Sequence, residues 1–222
     1  GQGESWSVRL DGKPLRTPEK KTVVLPTEAL ANVIADEWRA QSERIDLQSM
    51  FNTRLASIAL DRTPVTRADL GKEAARYAHT DLVCHLAENP KVLRERQEAG
   101  WGPLRAWAGL EMGLSLMPGQ GVIPAPQPEE SVEAVRRHAA VLDDFRLTGL
   151  VHGISMFGSA VLGLAAERRR ITAAEAFELS RIDEDFKAKQ WGEDAEATRR
   201  TERTRAEARA LDLWFDALGS VA

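Results

Sequence analysis

Two short runs near the N-terminus have the alternating or β-branched pattern of strands. They span Ser7–Leu10 and Thr22–Leu25, and two prolines lie between them. The pair Asp11 and Gly12 directly follows the first run, and such a pair favours the tight turn of a β-hairpin. The first part of the chain is therefore predicted to be antiparallel β structure.

After Pro26 the apolar residues follow helical spacing instead. Leu30, Ile34 and Trp38 lie four residues apart, which indicates the buried face of an amphipathic helix. About eight helices are expected in the rest of the chain on this spacing. We predict an α+β fold, with a small β-rich N-terminal domain over residues 1–50 and a larger α-helical bundle domain over residues 51–222.

Two helix starts carry a capping box, in which a hydroxyl and a carboxylate three residues later each bond a free backbone N–H. The two pairs are Thr66 with Asp69 and Thr172 with Glu175. The proline-rich segment 117–128 is predicted to be a loop within the bundle, because proline interrupts both helices and central strands.

Residues 149–166 carry no formal charge and just reach the length of a membrane span. Four glycines, two serines and a histidine dilute the hydrophobicity of this segment. Ser155, Ser159 and Gly163 recur every four residues and would form a smooth stripe for close helix packing. These features favour a buried central helix over a membrane span.

The charge and cysteine content exclude several classes of protein. The chain has 30 basic and 34 acidic residues, a net charge of -4, so nothing marks it as a nucleic-acid binder. A single cysteine, Cys84, cannot form an internal disulfide and suits a reducing compartment. With no signal or transit pattern in the sequence, we expect a bacterial cytoplasm, or the mitochondrial matrix for a eukaryotic source.

Candidate catalytic residues do not form a complete set. The residue types of His79, Asp81, Cys84 and His85 suit zinc or a Cys–His nucleophile, but on a helix only Asp81 and His85 share a face. Ser155 lacks the second glycine of a nucleophile elbow. No glycine-rich phosphate-binding motif occurs in the sequence. We expect no cofactor, no metal and no small-molecule substrate.

Six carboxylates cluster between residues 182 and 197: Asp183, Glu184, Asp185, Glu193, Asp194 and Glu196. Helical spacing predicts ion pairs of Asp183 with Lys187 and of Asp185 with Lys189, which leaves Glu184 the freer carboxylate. A di-metal site would need Glu-x-x-His motifs, and no histidine of the chain follows a glutamate at that spacing. A metal-assisted hydrolase built on these acids remains the alternative to a surface that a partner binds.

Several motifs in order resemble the assembly chaperone of the alpha subunit of F1-ATPase. They cover about residues 6 to 197: "LDGKPLRTP", Glu37-Trp38, "TRLASIALDR", "YAHTDLVCH", Arg96-Gln97 with Trp101 and Pro103, and "WGEDAEA". Phe186, His85 and Lys13 depart mildly from the usual family pattern. The resemblance implies a small β-rich domain before a helical one. It also implies an ATP-independent chaperone that binds the unassembled alpha subunit and then yields it to the beta subunit.

The same resemblance implies a partner-binding surface around the acidic cluster, with no nucleic acid and no membrane insertion. Glu184 is the expected central contact. The other expected contacts are Asp183, Trp191, Asp194 and Glu196, with Trp38, Arg54 and Asp81 as weaker candidates. Core packing is an equally good interpretation of Trp38 and Trp191, because large aromatics serve both cores and interfaces. For Arg54 and Asp81 a structural ion pair is the favoured interpretation.

Overall fold

A computed structural model of the protein describes residues 5–121, 125–192 and 194–219, without the side chain of Trp191. Within these ranges the chain is mostly helical, as predicted. Its helices are α1 (Glu28–Arg39), α2 (Phe51–Asp61), α3 (Thr63–His79), α4 (Lys91–Met112), α5 (Glu129–Val141), α6 (Asp144–Phe157), α7 (Ala160–Glu167), α8 (Ala173–Ser180), α9 (Ile182–Trp191) and α10 (Ala195–Leu218). The strands are β1 (Arg9–Leu10), β2 (Lys13–Pro14), β3 (His85–Leu86) and β4 (Gly119–Gln120), and 3₁₀ turns span Leu47–Ser49 and Leu82–Cys84.

The N-terminal β structure is an antiparallel hairpin that is smaller than predicted. β1 and β2 pair through the turn at Asp11 and Gly12, both of which have positive φ as a primed turn requires. Isolated bridges extend the hairpin, one of them between Trp6 and Leu25. Leu25 is buried in the same hydrophobic cluster as the helices. The division into domains at residue 50 stays a prediction.

The segment after α3 holds Asp81, Cys84 and His85, which were compared as candidate zinc ligands on the assumption that they lie on a helix. The structure shows that this segment is not helical in that way. α3 ends at His79, a 3₁₀ turn follows, and β3 pairs in parallel with β4. β4 lies in the proline-rich segment, which is otherwise a loop where it is described. The prediction that Asp81 and His85 share a helix face, apart from Cys84, was therefore wrong, because these residues do not lie on one α-helix.

Residues 149–166 form parts of two helices rather than one central helix. α6 ends where Gly158 adopts a left-handed conformation, and the side chain of Ser159 then caps α7 by accepting from the backbone N–H of Leu162 at 3.0 Å. The close packing expected of this segment occurs across the resulting hairpin, where Gly163 lies against Ile154. In the described ranges, no helix combines the length and the apolar character that crossing a bilayer requires.

Of the two capping boxes, one is confirmed and one is wrong. Thr172 and Glu175 make both reciprocal bonds at the start of α8. α3 begins at Thr63, earlier than the box of Thr66 and Asp69 predicts, and the Thr66 hydroxyl donates to the carbonyl four residues before it. A proline in the first turn replaces the predicted cap, because its missing N–H needs no partner there.

The last helix closes the core with its C-terminal half. All of the buried residues described in α10 lie between Ala208 and Ala217, among them the fully buried Trp214. The hydroxyl of Thr27, which caps α1, donates to the carbonyl of Ala217 at 2.7 Å. The first and last helices are thus fixed to each other, while the N-terminal half of α10 lies exposed beside α9.

Candidate partner-binding surface

A polar groove of about 480 Å³ opens between α9, α10 and the turn that joins α6 to α7. Hydroxyl groups and charged groups dominate its lining. The hydroxyls are those of Thr80, Ser155, Ser180, Thr201 and Thr204, and the charged side chains are Arg181, Glu184 and Arg200. We call this cavity the Glu184 groove.

Glu184 is exposed and lines this groove. Among the described residues it has no hydrogen-bond or ion-pair partner, in contrast to the two acids beside it. The carboxylate that helical spacing left unpaired is therefore unpaired in the fold as well. A charged group in this position is fully available to a group of opposite charge on another protein.

Neither ion pair predicted within α9 is formed. The Oδ1 atom of Asp183 accepts a hydrogen bond of 2.6 Å from the side-chain amide of Gln97. Asp185 pairs with Arg181 on the preceding turn, at 3.0 Å, rather than with Lys189. For Asp183 the prediction was wrong because spacing along one helix does not reveal a buried partner on α4. For Asp185 it was wrong because Arg181, four residues before it, takes the place of Lys189, four residues after it.

α4 is the platform that holds α9. Gln97 is fully buried, and its Oε1 accepts from the backbone N–H of Ala87 at 2.7 Å while its amide holds Asp183. The residue before Gln97 adds a second contact, because the guanidinium of Arg96 lies over the ring of Phe186, 5.4 Å from its centroid. Asp183 is thereby turned inward and Glu184 outward.

The α8–α9 junction is fixed to the same platform. The indole N–H of Trp101 donates to the carbonyl of Leu179 at 2.9 Å. Gly100 lets the helices approach closely, since a Cβ there would lie 2.9 Å from Leu179 and 3.0 Å from Ile182. α9 is therefore presented in a set orientation rather than as a loosely attached helix.

Asp194 and Glu196 lie at the exposed start of α10. Asp194 caps this helix, with its carboxylate accepting from the backbone N–H groups of Glu196 and Ala197 at 3.1 and 3.2 Å. Glu196 lies 3.7 Å from the guanidinium of Arg200, which lines the groove. Glu184 and Glu196 thus neighbour the same groove, and Asp194 has a structural role as a cap. The side chain of Trp191 lies outside the described part of the chain.

Trp38 and Arg54 line a second cavity of about 470 Å³, away from the acidic cluster. We call it the Trp38 groove; its apolar lining is Leu15, Val23, Trp38, Leu47 and Ile58, and its charged residues are Arg16 and Arg54. The favoured interpretation of Arg54 is supported, because its guanidinium pairs with Glu207 of α10 at 3.3 Å. Trp38 is half-buried, which is consistent with both interpretations offered for it.

Asp81 is completely buried, so a partner protein has no access to it. Its carboxylate accepts from the backbone N–H groups of Val83 at 3.2 Å and Val161 at 3.1 Å. Burial raises the pKa of Asp81 to about 6, against the lowering effect of the Ser159 hydroxyl and these amides. The expected ion pair is not formed, and Asp81 instead joins the 3₁₀ turn to the start of α7.

The described ranges contain no group of three or more histidine, cysteine, aspartate or glutamate side chains placed to hold a metal ion. Cys84 is buried, and burial together with the charge of Asp81 raises the pKa of its thiol to about 12. Since a cysteine nucleophile acts as the thiolate, this environment opposes such a role. Ser155 was the other nucleophile considered from the sequence, and its hydroxyl lies 3.5 Å from the hydroxyl of Tyr77.

The family profile described as ATP12 chaperone protein matches residues 1–109. Two solved structures of Atp12 from Paracoccus denitrificans, one of them a mutant, are 40% and 41% identical to this chain, each with a TM-score of 0.85. Both matches cover 96% of this chain and 93% of the other. The chain belongs to the ATP12 chaperone family.

Relatives from other organisms extend the match. A structure of an Agrobacterium tumefaciens protein is 34% identical with a TM-score of 0.90, covering 98% of this chain and 82% of that one. The mitochondrial protein atp12 of Schizosaccharomyces pombe is 27% identical over 199 residues, which is 83% of this chain and 68% of the yeast protein. Both the helical fold and the family that the motifs indicated are thus shared with known ATP12 proteins.

Proposed function

We propose that this ATP12 family member is a chaperone, not an enzyme, that binds the unassembled alpha subunit of F1-ATPase. It prevents aggregation of that subunit and promotes assembly of the catalytic head of ATP synthase. Family membership supports the chaperone function and its place in ATP synthase assembly. The observation that carries the contact site is the exposed carboxylate of Glu184, which lines a groove and has no partner among the described residues.

The Glu184 groove suits a partner segment that carries charges of both signs. Glu184 offers one negative charge, while Arg181 and Arg200 offer positive charge within the same lining. Because α4 already holds α9 in place, little conformational freedom is lost when a partner binds. A rim of charges gives specificity and fast association more than high affinity. That combination suits a chaperone, which has to release its client.

Binding and release need no nucleotide in this proposal. The sequence has no glycine-rich phosphate-binding motif. Release then follows when another subunit competes for the surface that the chaperone covers, since binding of the native subunit shifts the equilibrium by mass action. The chaperone works in the compartment where the alpha subunit is assembled, the bacterial cytoplasm or the mitochondrial matrix.

Dilution of denatured alpha subunit into buffer with and without the chaperone tests this function. We expect the wild-type chain to suppress light scattering at equimolar concentration and to co-elute with the subunit in size-exclusion chromatography. Glu184→Lys should weaken capture about tenfold, equal to about 1.4 kcal/mol, without lowering the unfolding temperature. Persistent scattering and the absence of a complex with the wild-type chain would refute the proposed function.

The matched control is Glu111→Lys, which makes the same charge change on α4. Glu111 is exposed and does not line the Glu184 groove. This variant should capture the alpha subunit as the wild type does. Equal capture by all three proteins would remove Glu184 from the contact surface while leaving the chaperone function intact. Equal losses in both variants would show a dependence on net charge instead of on the groove.

A further inference from the structure

The Trp38 groove is an apolar cavity with a water-exposed rim. Leu47 is 58% exposed and Ile58 is 44% exposed, although both belong to its lining. The floor contains Leu15 and Val23, which are buried. An apolar side chain placed here would cover rim residues that now contact water, and burying such surface is favourable.

Two carboxylates, the partly buried Glu37 and the buried Asp61, hold the walls of this groove in place. Glu37 of α1 accepts hydrogen bonds of 2.7 Å from the backbone N–H groups of Asn52 and Thr53 at the start of α2. At the other end of α2, Asp61 accepts from the hydroxyl of Thr17 at 2.9 Å. The hairpin, α1 and α2 are therefore joined on both sides of the cavity. The groove exists before any ligand binds.

The charges in the lining are only positive within the described residues: Arg16 and Arg54, with no acid. Arg54 shares its charge with Glu207, but Arg16 has no ion pair among the described residues and donates only to the carbonyl of Lys20, at 2.8 Å. In addition, the indole Nε1–H of Trp38 is buried and finds no acceptor in the described ranges. The lining therefore carries positive charge without an acidic residue, and the Trp38 N–H has no acceptor among the described residues.

We propose that the Trp38 groove binds an extended segment of the client protein in which an apolar side chain is closely followed by a carboxylate. The apolar side chain packs on Trp38 and Ile58, and the carboxylate pairs with Arg16. This inference rests on the proposed function, because it gives the chemistry of a second client segment bound away from the Glu184 groove. In this proposal the hairpin and α2 bind an apolar segment of the client, while α9 binds a charged segment.

The indole N–H signals of ¹⁵N-labelled full-length protein test this binding directly. The probe is a blocked hexapeptide with leucine followed by glutamate, and its twins carry lysine for glutamate or serine for leucine. Assignment of the Trp38 signal comes from Trp38→Phe. We expect the leucine–glutamate peptide to shift this signal saturably, with at least about fivefold weaker binding of either twin. Trp101 and Trp214 are internal controls, since both are fully buried with their N–H groups already bonded.

Ile58→Glu should abolish the peptide-induced shift and reduce suppression of alpha-subunit aggregation. The matched control is Leu110→Glu, which places the same charge at a residue of α4 that is 88% exposed and outside the groove. Circular dichroism establishes that both variants fold. An unshifted Trp38 signal, or equal shifts with all three peptides, would overturn the proposal.

Three further results separate this proposal from others. If Ile58→Glu suppresses aggregation fully while Glu184→Lys does not, the groove inference fails and the proposed function stands. If the peptide binds but the wild-type chain leaves the alpha subunit aggregating, the proposed function fails and the groove remains a peptide site. A wild-type dimer in sedimentation that Ile58→Glu dissociates would assign the groove to a second copy of the chain, and would also overturn the proposal.

Discussion

Gly163→Ala should destabilise the protein, because the packing of α6 against α7 leaves no room for a Cβ at this position. A Cβ on Gly163 would lie 3.0 Å from the backbone nitrogen of Ile154 and 3.1 Å from its Cα, and closer still to its side chain. Ile154 is fully buried, and its backbone belongs to the neighbouring helix α6. Rotation of a side chain cannot relieve a contact with backbone atoms, so the two helices have to separate.

The magnitude follows from two opposing effects. Overpacking of a core costs about 1–3 kcal/mol, and backbone contacts place this change at the upper end. Alanine in a helix gains about 1 kcal/mol over glycine, which leaves a net loss of about 2 kcal/mol. For a chain of this size that loss lowers the unfolding temperature by about 4–8 °C.

Gly71→Ala is the matched control, and its expected sign is opposite. A Cβ on Gly71 would lie 3.8 Å from the Cβ of Ala139, an ordinary contact. With no steric cost, helix propensity should raise the free energy of unfolding by about 0.5–1 kcal/mol. Urea unfolding followed by circular dichroism measures both variants. The reasoning is refuted if Gly163→Ala is as stable as the wild type, or if the two variants lose equal stability.

Two further predictions concern buried polar groups. Asp81 prefers its protonated form in the fold, since its pKa there is about 6 against an ordinary 3.8; this stabilisation is complete below pH 3.8 and is lost as the pH rises through 6. Between about pH 4 and pH 6.5 the loss amounts to about 2 kcal/mol, and urea titrations should find it in the wild type but not in Asp81→Asn. Gln97→Ala should lower the free energy of unfolding by about 2–3 kcal/mol, because the Ala87 N–H and Asp183 each lose a partner. Hydrogen exchange should show faster exchange in α9 of that variant.

The Asp81 and Gln97 predictions need different controls. For Asp81 the comparison is of the pH slope, because asparagine also turns an N–H group toward a backbone donor and lowers stability at every pH. An unchanged slope in Asp81→Asn would contradict the assignment of the titration to this residue. For Gln97 the control is Gln41→Ala, a partly exposed amide just after α1 that also bonds two backbone groups, the Glu37 carbonyl at 3.0 Å and the Asp46 N–H at 2.8 Å. A loss as large in that variant would contradict the importance given to burial.

The sequence predicted the elements whose signals are local. The hairpin at Asp11 and Gly12 and the capping box at Thr172 both depend on residues within a few positions of each other. The break between α6 and α7 is also local, yet it was missed because Ser159 fits the helical stripe with Ser155 and Gly163 as well as it fits a helix cap that follows Gly158. Both interpretations agree with the spacing, and tertiary packing decides between them.

Long-range contacts could not be predicted from spacing. Glu167 ends an uncharged run, which suggests an exposed helix end, but it is fully buried with His138 at 2.9 Å and Arg146 at 3.4 Å. Arg146 also donates to the carbonyl of Leu218 at 3.1 Å and so holds the end of α10. Each of these partners is more than twenty residues from Arg146 or Glu167. No pattern in the sequence connects them.

The residues that carried the family resemblance are largely internal supports. Glu37 holds the start of α2, and Gln97 and Trp101 hold α8 and α9 from within the fold. Glu184, by contrast, is exposed and makes no hydrogen bond or ion pair within the described residues. The two variants should therefore differ in their effects on stability and on capture of the alpha subunit. Gln97→Ala should lower both, because α9 is released from its platform on α4. Glu184→Lys should lower capture alone. If Gln97→Ala lost stability but captured the alpha subunit normally, α9 would not need its fixed orientation, and the Glu184 groove would not be the surface that the client binds.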